Sequence, residues 1–432
     1  MRSPLYHSRW VRAPGPARTL VRGALLALPV ASIVALAACS DSAAPTITEP
    51  ASASANRSEG RGSFQRYVAL GTGFSMGRRS DGLSAESQYD SWPAQLARLA
   101  HREMSQPYLA EPGCRPLLVA PLASGARDGP VGEPCALAPG VSLPSQNLSI
   151  FGATASGALL ATTENAVPLD MGYGFSSLLR FVLPPGLTQV GAMQMLEPKI
   201  VSVEYGSSEI MRGFRQPGPT FSFTDWAQSY DAVLDAVQNQ TDNVVLALPP
   251  LGLPPAYAPA AANFVIANAS ALLSQFNVTV PQSCIELLGS RYLHLEGIRS
   301  LAVSGLAAKA KGLGPVALDC SFPMFLNEFT VSIDAWDALY SRALGMREHI
   351  RQQAALRGFA VFDLGVIYTS IPGPLTAVSL MTSAEPFGPY VSLDGIYPSA
   401  AGNRRLADAA AIALNERYGI GIPVTPPVLT QR

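Results

Sequence analysis

The chain has 432 residues, and its 30 Lys+Arg and 31 Asp+Glu give a formal net charge of −1. It lacks the basic surplus of nucleic-acid-binding proteins, so we expect no nucleic acid partner. The 37 Gly and 37 Pro indicate many loops, and the length allows one large globular domain with insertions.

The N-terminus predicts export. Residues 1–38 contain no acidic residue, and an apolar segment that ends at Cys39 follows their five arginines, Arg2, Arg9, Arg12, Arg18 and Arg22. This order is typical of a secretory signal and is short for a membrane span. "LAAC", Leu36 to Cys39, resembles the bacterial lipobox, which implies cleavage before Cys39 and lipidation of its thiol. The alternative is a plain N-terminal anchor helix.

Residues 39–63 are rich in Ser, Ala and Pro, and they predict a flexible tether because they contain too little apolar surface to fold. Without residues 1–38 the chain has 25 basic and 31 acidic residues, a net charge of −6. We expect a domain over residues 64–422 and a short tail over residues 423–432. The predicted location is the bacterial cell envelope, with the membrane reached through the lipid on Cys39.

Four further cysteines lie in two Pro/Gly-rich, loop-like regions near residues 110–140 and 280–325. An oxidising compartment permits disulfides, and local loops close at the lowest entropic cost. We therefore expect the pairs Cys114–Cys135 and Cys284–Cys320, although the sequence alone allows three connectivities. No Cys or His stands at metal-ligand spacing, so we expect no metal site and no cofactor.

Apolar runs and amphipathic segments alternate along the rest of the chain. This alternation predicts an α/β domain in which helices cover both faces of a parallel sheet. Strands are expected within residues 66–72, 146–150, 199–205, 243–250 and 359–365, and helices within residues 90–104, 187–196, 226–239, 333–358 and 400–419. Ligands of such sheets bind beyond the carboxyl ends of the strands.

Four blocks at those ends carry a resemblance: "VALGTGFSMG" from Val68, "NLSIFGATASG" from Asn147, "IVSVEYGSSEI" from Ile200 and "SLDGIYPSAAGNRRLADA" from Ser392. In order and spacing they resemble the SGNH, or GDSL-type, esterase and lipase family. The resemblance covers roughly Arg66 to Gly419 and implies a flavodoxin-like three-layer α/β/α sandwich.

The same resemblance implies that most of the catalytic residues are replaced. The nucleophilic serine aligns with Gly73, the oxyanion-hole asparagine with Ser208 and the catalytic histidine with Tyr397. The glycine that donates to the oxyanion, Gly152, and the terminal aspartate, Asp394, are retained. Tyrosine has a reference pKa near 10 and is a poor base at neutral pH.

A second serine offers an alternative nucleophile. "GFSMG", Gly73 to Gly77, matches Gly-x-Ser-x-Gly, the nucleophile-elbow pattern of another hydrolase fold. Its serine, Ser75, lies two residues beyond the position implied by the family, so a residue that caps or lines the first helical turn is the plainer interpretation. Asp394 likewise has a structural interpretation, as an acceptor for Tyr397, Ser399 or a nearby backbone amide.

The sequence thus favours an envelope lipoprotein that binds an acyl, ester or glycan ligand, or a protein partner, without efficient turnover. The alternatives are an active carboxylic ester hydrolase that uses Ser75 and a purely structural surface module.

Overall fold

The computed structural model describes residues 62–165, 175–215, 221–289, 291–320, 329–373 and 375–424. The predicted signal peptide, the lipidation site at Cys39 and nearly all of the tether lie outside the described residues. Most of the predicted tail does so too.

Four parallel strands form the main sheet, in the spatial order β1 (Tyr67–Leu70), β2 (Ile200–Val203), β3 (Val244–Leu248) and β9 (Ala360–Asp363). Asn147 adds a parallel bridge to Ala69 on the other side of β1, so a short segment after residue 146 extends the sheet there. The strands are β1 (Tyr67–Leu70), β2 (Ile200–Val203), β3 (Val244–Leu248), β4 (Tyr257–Ala258), β5 (Val278–Thr279), β6 (Arg291–His294), β7 (Val316–Ala317), β8 (Thr330–Ser332) and β9 (Ala360–Asp363).

Every residue of β1, β2 and β3 is buried. Because successive side chains point to opposite faces of a sheet, this pattern requires cover on both faces. The α/β prediction with a parallel sheet is confirmed, and each of the four main strands lies where the sequence predicts it.

The helices that cover the sheet begin and end at recognisable capping residues. The Ser399 side chain accepts a hydrogen bond from the Gly402 amide at the start of the last helix, and Gly419, with φ +67°, caps its end. The helices are α1 (Gly73–Met76), α2 (Ala85–Tyr89), α3 (Trp92–Leu99), α4 (Ala155–Leu160), α5 (Phe175–Leu179), α6 (Gln189–Met195), α7 (Ser207–Arg215), α8 (Phe223–Gln238), α9 (Ala261–Phe276), α10 (Gln282–Leu288), α11 (Leu295–Ala310), α12 (Ile333–Arg357), α13 (Ala377–Thr382) and α14 (Ala400–Tyr418).

The helix predicted over residues 90–104 is shorter in the structure, where α3 ends at Leu99. His101 has φ +58°, a left-handed conformation that the helix cannot continue through. The other four predicted helices are present within a few residues of their expected bounds.

Both predicted disulfides are present, Cys114–Cys135 and Cys284–Cys320. The second cysteine-bearing region is not loop-like, since Cys284 lies in α10 and the two long helices α9 and α11 flank it. These helices enclose a second hydrophobic core, to which Leu118 and Leu122 of the first cysteine-bearing region and Phe387 also contribute. The two regions therefore pack together. No helix among the described residues combines the length and the apolar character needed to cross a bilayer.

Candidate functional site

The turns that follow β1 and β2 meet at the carboxyl edge of the sheet. From β1 the chain passes to the Asn147 segment on one side and later returns to β2 on the other side. The crevice at such a change of direction is where open α/β sheets bind ligands. Thr72 and Ser75 follow β1, and Glu204 follows β2.

Gly73 lies against two aromatic rings. A Cβ atom added at Gly73 would lie 3.0 Å from Phe151 Cδ2 and 3.0 Å from Tyr397 Cε1. The rings of Phe74 and Tyr397 are 5.0 Å apart, centroid to centroid. The structure therefore brings together Gly73 and Tyr397, which the resemblance aligns with the nucleophile and the base. Aromatic carbon fills the space around them.

Arg78 covers this aromatic group. Its guanidinium carbon lies 4.0 Å from the centroid of the Phe151 ring and 5.7 Å from that of Tyr397. A guanidinium over an aromatic face is attracted by the negative potential of the ring. Arg78 is thus held against the aromatic rings that lie beside Gly73.

Ser75 lies in α1, fully buried, with its hydroxyl engaged on two sides. It donates to Glu204 Oε2 at 3.1 Å and accepts from the Trp92 indole nitrogen at 3.1 Å. Gly71 permits this approach, because a Cβ atom there would lie 2.7 Å from Ser75 Oγ. Ser75 therefore lies in the interior beside a carboxyl group.

That carboxyl group, Glu204, has no exposed surface. Its Oε2 accepts from the Thr72 amide at 2.8 Å and from the Thr72 hydroxyl at 2.8 Å. Burial raises the pKa of Glu204 to about 7, and the hydrogen bonds from Thr72 and Ser75 oppose this shift in part. Glu204 therefore changes protonation state near neutral pH while it ties the β1 turn to β2.

Asp394 is an acceptor for backbone amides, as the structural interpretation expects. Its Oδ1 accepts from the amides of Ile396 at 2.8 Å and Tyr397 at 2.9 Å, and its Oδ2 accepts from the amide of Asp81 at 2.9 Å. Burial raises its pKa, and the hydrogen bonds to these amides lower it. Asp394 fixes the turn before α14 to the loop after α1.

Gly152 and Ser208 lie at the same edge of the sheet. Gly152 has φ +85°, which favours glycine, and its carbonyl accepts from Arg212 at 2.7 Å. Ser208 is buried in the first turn of α7. The adjacent Glu209 accepts from the amides of Ala155 at 2.8 Å and Gly206 at 3.1 Å, so it fixes α4 to the turn after β2.

A small apolar cavity opens beside Phe74, between the ends of β2, β3 and β9. The space available to the centre of a water molecule is ≈ 20 Å³, about the room that one water needs. Its walls are Phe74, Ser207, Ile210, Met211, Phe214, Pro250, Gly252, Pro254 and Tyr368. The cavity walls are suited to apolar groups.

The histidines beyond residue 61 lie on other elements. His349 contacts Asp231 at 2.8 Å, and His294 precedes α11 and accepts from the Glu296 amide at 3.2 Å. No group of three or more His, Cys, Asp or Glu suited to a metal ion occurs in the described part of the chain.

No protein-family model matches the chain. No curated protein is significantly similar to it.

Sequence reasoning missed Glu204, Phe151 and Arg78. A signal for Glu204 was available, since it is a single acid directly after the apolar strand "IVSV". A lone carboxylate at that place must find donors at the edge of the sheet. Phe151 and Arg78 gave no comparable signal, because their importance depends on contacts with Tyr397 from a distant block.

Proposed function

We propose that the protein is an SGNH-hydrolase-like lipoprotein of the bacterial cell envelope, anchored through Cys39, that binds an acyl, ester or glycan ligand without efficient hydrolysis. The proposed fold is the flavodoxin-like three-layer sandwich of that family.

The sheet supports this fold. With the Asn147 segment counted as the second strand, the spatial order of the five segments is 2-1-3-4-5. This is the order of flavodoxin-like sheets. The four blocks that carry the resemblance also converge at one edge of the sheet, as the family requires.

One observation carries the loss of hydrolysis: the position aligned with the nucleophile is a glycine enclosed by aromatic rings. A side chain at Gly73 would meet Phe151 and Tyr397 at 3.0 Å, closer than ordinary contact. A serine there, or a tetrahedral intermediate beside it, needs both rings to move.

The remaining chemistry supports the same proposal. Hydrolysis by an activated serine needs a base that is itself oriented. Asp394, which would orient that base, has its oxygens engaged by the amides of Ile396, Tyr397 and Asp81. Ser208 has a shorter side chain than the asparagine with which it aligns, so an oxyanion donor is weakened or lost. Loss of one such donor alone lowers the rate roughly 10²- to 10³-fold.

A specific contact favours a second candidate, an ester hydrolase that uses Ser75. Its hydroxyl donates to Glu204 at 3.1 Å, and a carboxyl group whose pKa is about 7 has the basicity of a general base. This candidate requires α1 to open, since both side chains are fully buried.

The experiment is fluorophosphonate labelling of the purified full chain, with a parallel assay on short-chain aryl esters. Ser75→Ala is compared with Ser149→Ala, which removes another fully buried serine hydroxyl. We expect no labelling above that of heat-denatured protein and no ester cleavage above buffer in any of the three proteins. Labelling and turnover that disappear in Ser75→Ala but persist in Ser149→Ala would overturn the proposal and establish the hydrolase.

A further inference from the structure

Three arginines converge on one carboxylate at the rim of the candidate site. Arg78 lies 3.1 Å from Asp81 Oδ1, while Arg115 and Arg127 lie 2.8 Å and 2.6 Å from Asp81 Oδ2. We call Asp81 and these three arginines the arginine cluster. The Arg127 side chain is 9% exposed and that of Arg115 is 52% exposed. One guanidinium is therefore deeply buried, and another faces the solvent.

The cluster borders the aromatic group around Gly73, because Arg78 belongs to both. Its guanidinium covers Phe151 while it also contacts Asp81. The amide of Asp81 donates to Asp394, so the cluster is joined to the terminal block as well.

The first disulfide loop delivers the other two arginines. Arg115 follows Cys114, whose amide donates to the Leu83 carbonyl at 2.8 Å, and the Leu83 amide donates to the Arg115 carbonyl at 3.1 Å. Arg127 lies within the same loop and donates to the carbonyl of Pro116 at 2.5 Å. These contacts fix the backbone at Arg115 and the guanidinium of Arg127 before any ligand arrives.

The cluster has more positive than negative charge. Three guanidiniums meet one carboxylate, and the neighbouring Glu296 is itself paired with Arg299 through both of its oxygens. Burial lowers the pKa of Arg115, the charges of Arg127 and Arg78 lower it further, and Asp81 and Glu296 oppose the shift. Like charges held this close repel one another, so a second anion here would be stabilising.

We infer that the arginine cluster binds an oxyanion of the ligand, a carboxylate or a phosphate, through Arg115 and Arg78. A guanidinium has five N–H donors in a planar fork that matches the two oxygens of such a group. Asp81 holds the arginines in place when the ligand is absent. The inference deepens the proposed function, on which it rests for the place of the ligand, since it makes that ligand an anion rather than a neutral ester.

The test measures thermal stabilisation of the full chain by inorganic phosphate and by acetate, against chloride at the same ionic strength. Two variants are compared with the wild type: Arg115→Gln, and the control Arg66→Gln, which removes an exposed arginine that pairs with a single acid, Glu197. We expect phosphate or acetate to raise the Tm of the wild type and of Arg66→Gln. In Arg115→Gln the apparent affinity should fall at least about tenfold.

A third variant separates a ligand site from a purely structural cluster. Asp81→Asn removes the resident carboxylate and its repulsion of a bound anion, so a site for oxyanions should bind phosphate or acetate about tenfold more tightly. A cluster that serves only to fix the loop would lose stability without gaining affinity. No anion-specific rise in the wild type, or an equal rise in Arg115→Gln, would overturn the inference.

Two further comparisons identify the source of the oxyanion. A larger rise with acetate than with phosphate indicates a carboxylate ligand. Co-sedimentation with phosphatidylglycerol but not phosphatidylcholine vesicles, lost in Arg115→Gln, indicates a lipid phosphate. None of these measurements depends on labelling or ester cleavage. Failure of the arginine cluster to bind anions would therefore not alter the result of the labelling and ester-cleavage experiment.

Discussion

Glu204 and Asp394 both lie at the carboxyl edge of the sheet, and burial raises the pKa of both, but their partners differ in kind. Hydroxyl groups of Thr72 and Ser75 surround Glu204 together with one amide. Asp394 accepts from the backbone amides of Ile396, Tyr397 and Asp81. A hydroxyl can donate or accept, whereas an amide N–H can only donate. The hydroxyl groups can therefore accept a hydrogen bond from a protonated Glu204, whereas the amides around Asp394 cannot accept one from a protonated carboxyl group.

The largest expected effect that follows from this difference is a dependence of stability on pH. Below pH 4.5 the Glu204 carboxyl group is protonated in both the folded and the unfolded chain, and between pH 4.5 and about 7 it is protonated only in the folded chain. Unfolding then releases a proton, so the free energy of unfolding falls as pH rises through this range, by about 3 kcal/mol.

Denaturant titrations at pH 4.5 to 8 measure this fall. Glu204→Gln should reduce the total fall by about 3 kcal/mol, while the buried carboxyl groups of Glu209 and Asp394, whose pKa values burial also raises, keep their own contribution. Glu197→Gln, which alters an exposed carboxyl group, should leave the fall unchanged. Equal pH profiles for wild type and Glu204→Gln would contradict the proposed role of Glu204.

A smaller loss is expected for Asp394→Asn at neutral pH. The substitution replaces one carboxylate oxygen by an NH₂ group that faces a backbone amide N–H. Both groups are donors, so that hydrogen bond is lost. We expect a loss of about 2 kcal/mol in the free energy of unfolding, measured by denaturant titration. A loss of unfolding free energy below about 0.5 kcal/mol would contradict the proposed difference between the surroundings of Asp394 and those of Glu204. Asp408→Asn, in α14, provides a carboxylate control that pairs with a side chain, Arg404.

Ser75→Ala should destabilise the protein by about 1 kcal/mol, because the Trp92 indole N–H loses its acceptor and Glu204 loses one donor. Thermal unfolding, with Ser149→Ala as the matched buried control, measures this effect. Greater stability of Ser75→Ala would suggest that Ser75 is strained for another purpose, such as nucleophilic attack.

The smallest effect is expected for Glu204→Gln at pH 4.5, where the wild-type carboxyl group is also neutral in the folded chain. The amide oxygen can accept from the Thr72 backbone, and the hydroxyls of Thr72 and Ser75 can turn to accept from the NH₂ group. We expect a change below about 1 kcal/mol in the free energy of unfolding. A loss as large as that of Asp394→Asn would show that the hydroxyls do not reorient.

The main sheet could be predicted because each strand is a short apolar run bounded by turn residues. The resemblance aligned Gly73 and Tyr397 with two residues of one site, and in the structure a Cβ atom at Gly73 would lie 3.0 Å from Tyr397. The sequence could not indicate what surrounds them. Arg127 and Asp81 are 46 residues apart and meet only because the Cys114–Cys135 loop folds back on the turn after α1.

The second core could not be predicted for a related reason. Helix α9, "AANFVIANASALLSQF", has no charged residue, and its exposed face mixes polar residues such as Ser270 and Gln275 with Ile266 and Leu273, so it carries only a weak signal of a surface helix. Its cover comes from segments far away in the chain, among them α13. Sequence periodicity describes local structure and does not indicate which distant segments cover a helix.

The second core has a consequence for how the chain acquires its structure. It joins Leu118 and Leu122 to the helices after residue 260 and to Phe387 and Val391. Its outermost contributors are about 270 residues apart, so the core cannot close until most of the chain is available. Contacts of such long range slow folding. We therefore expect refolding to be slow, with the chain susceptible to proteases until its last quarter has joined the rest.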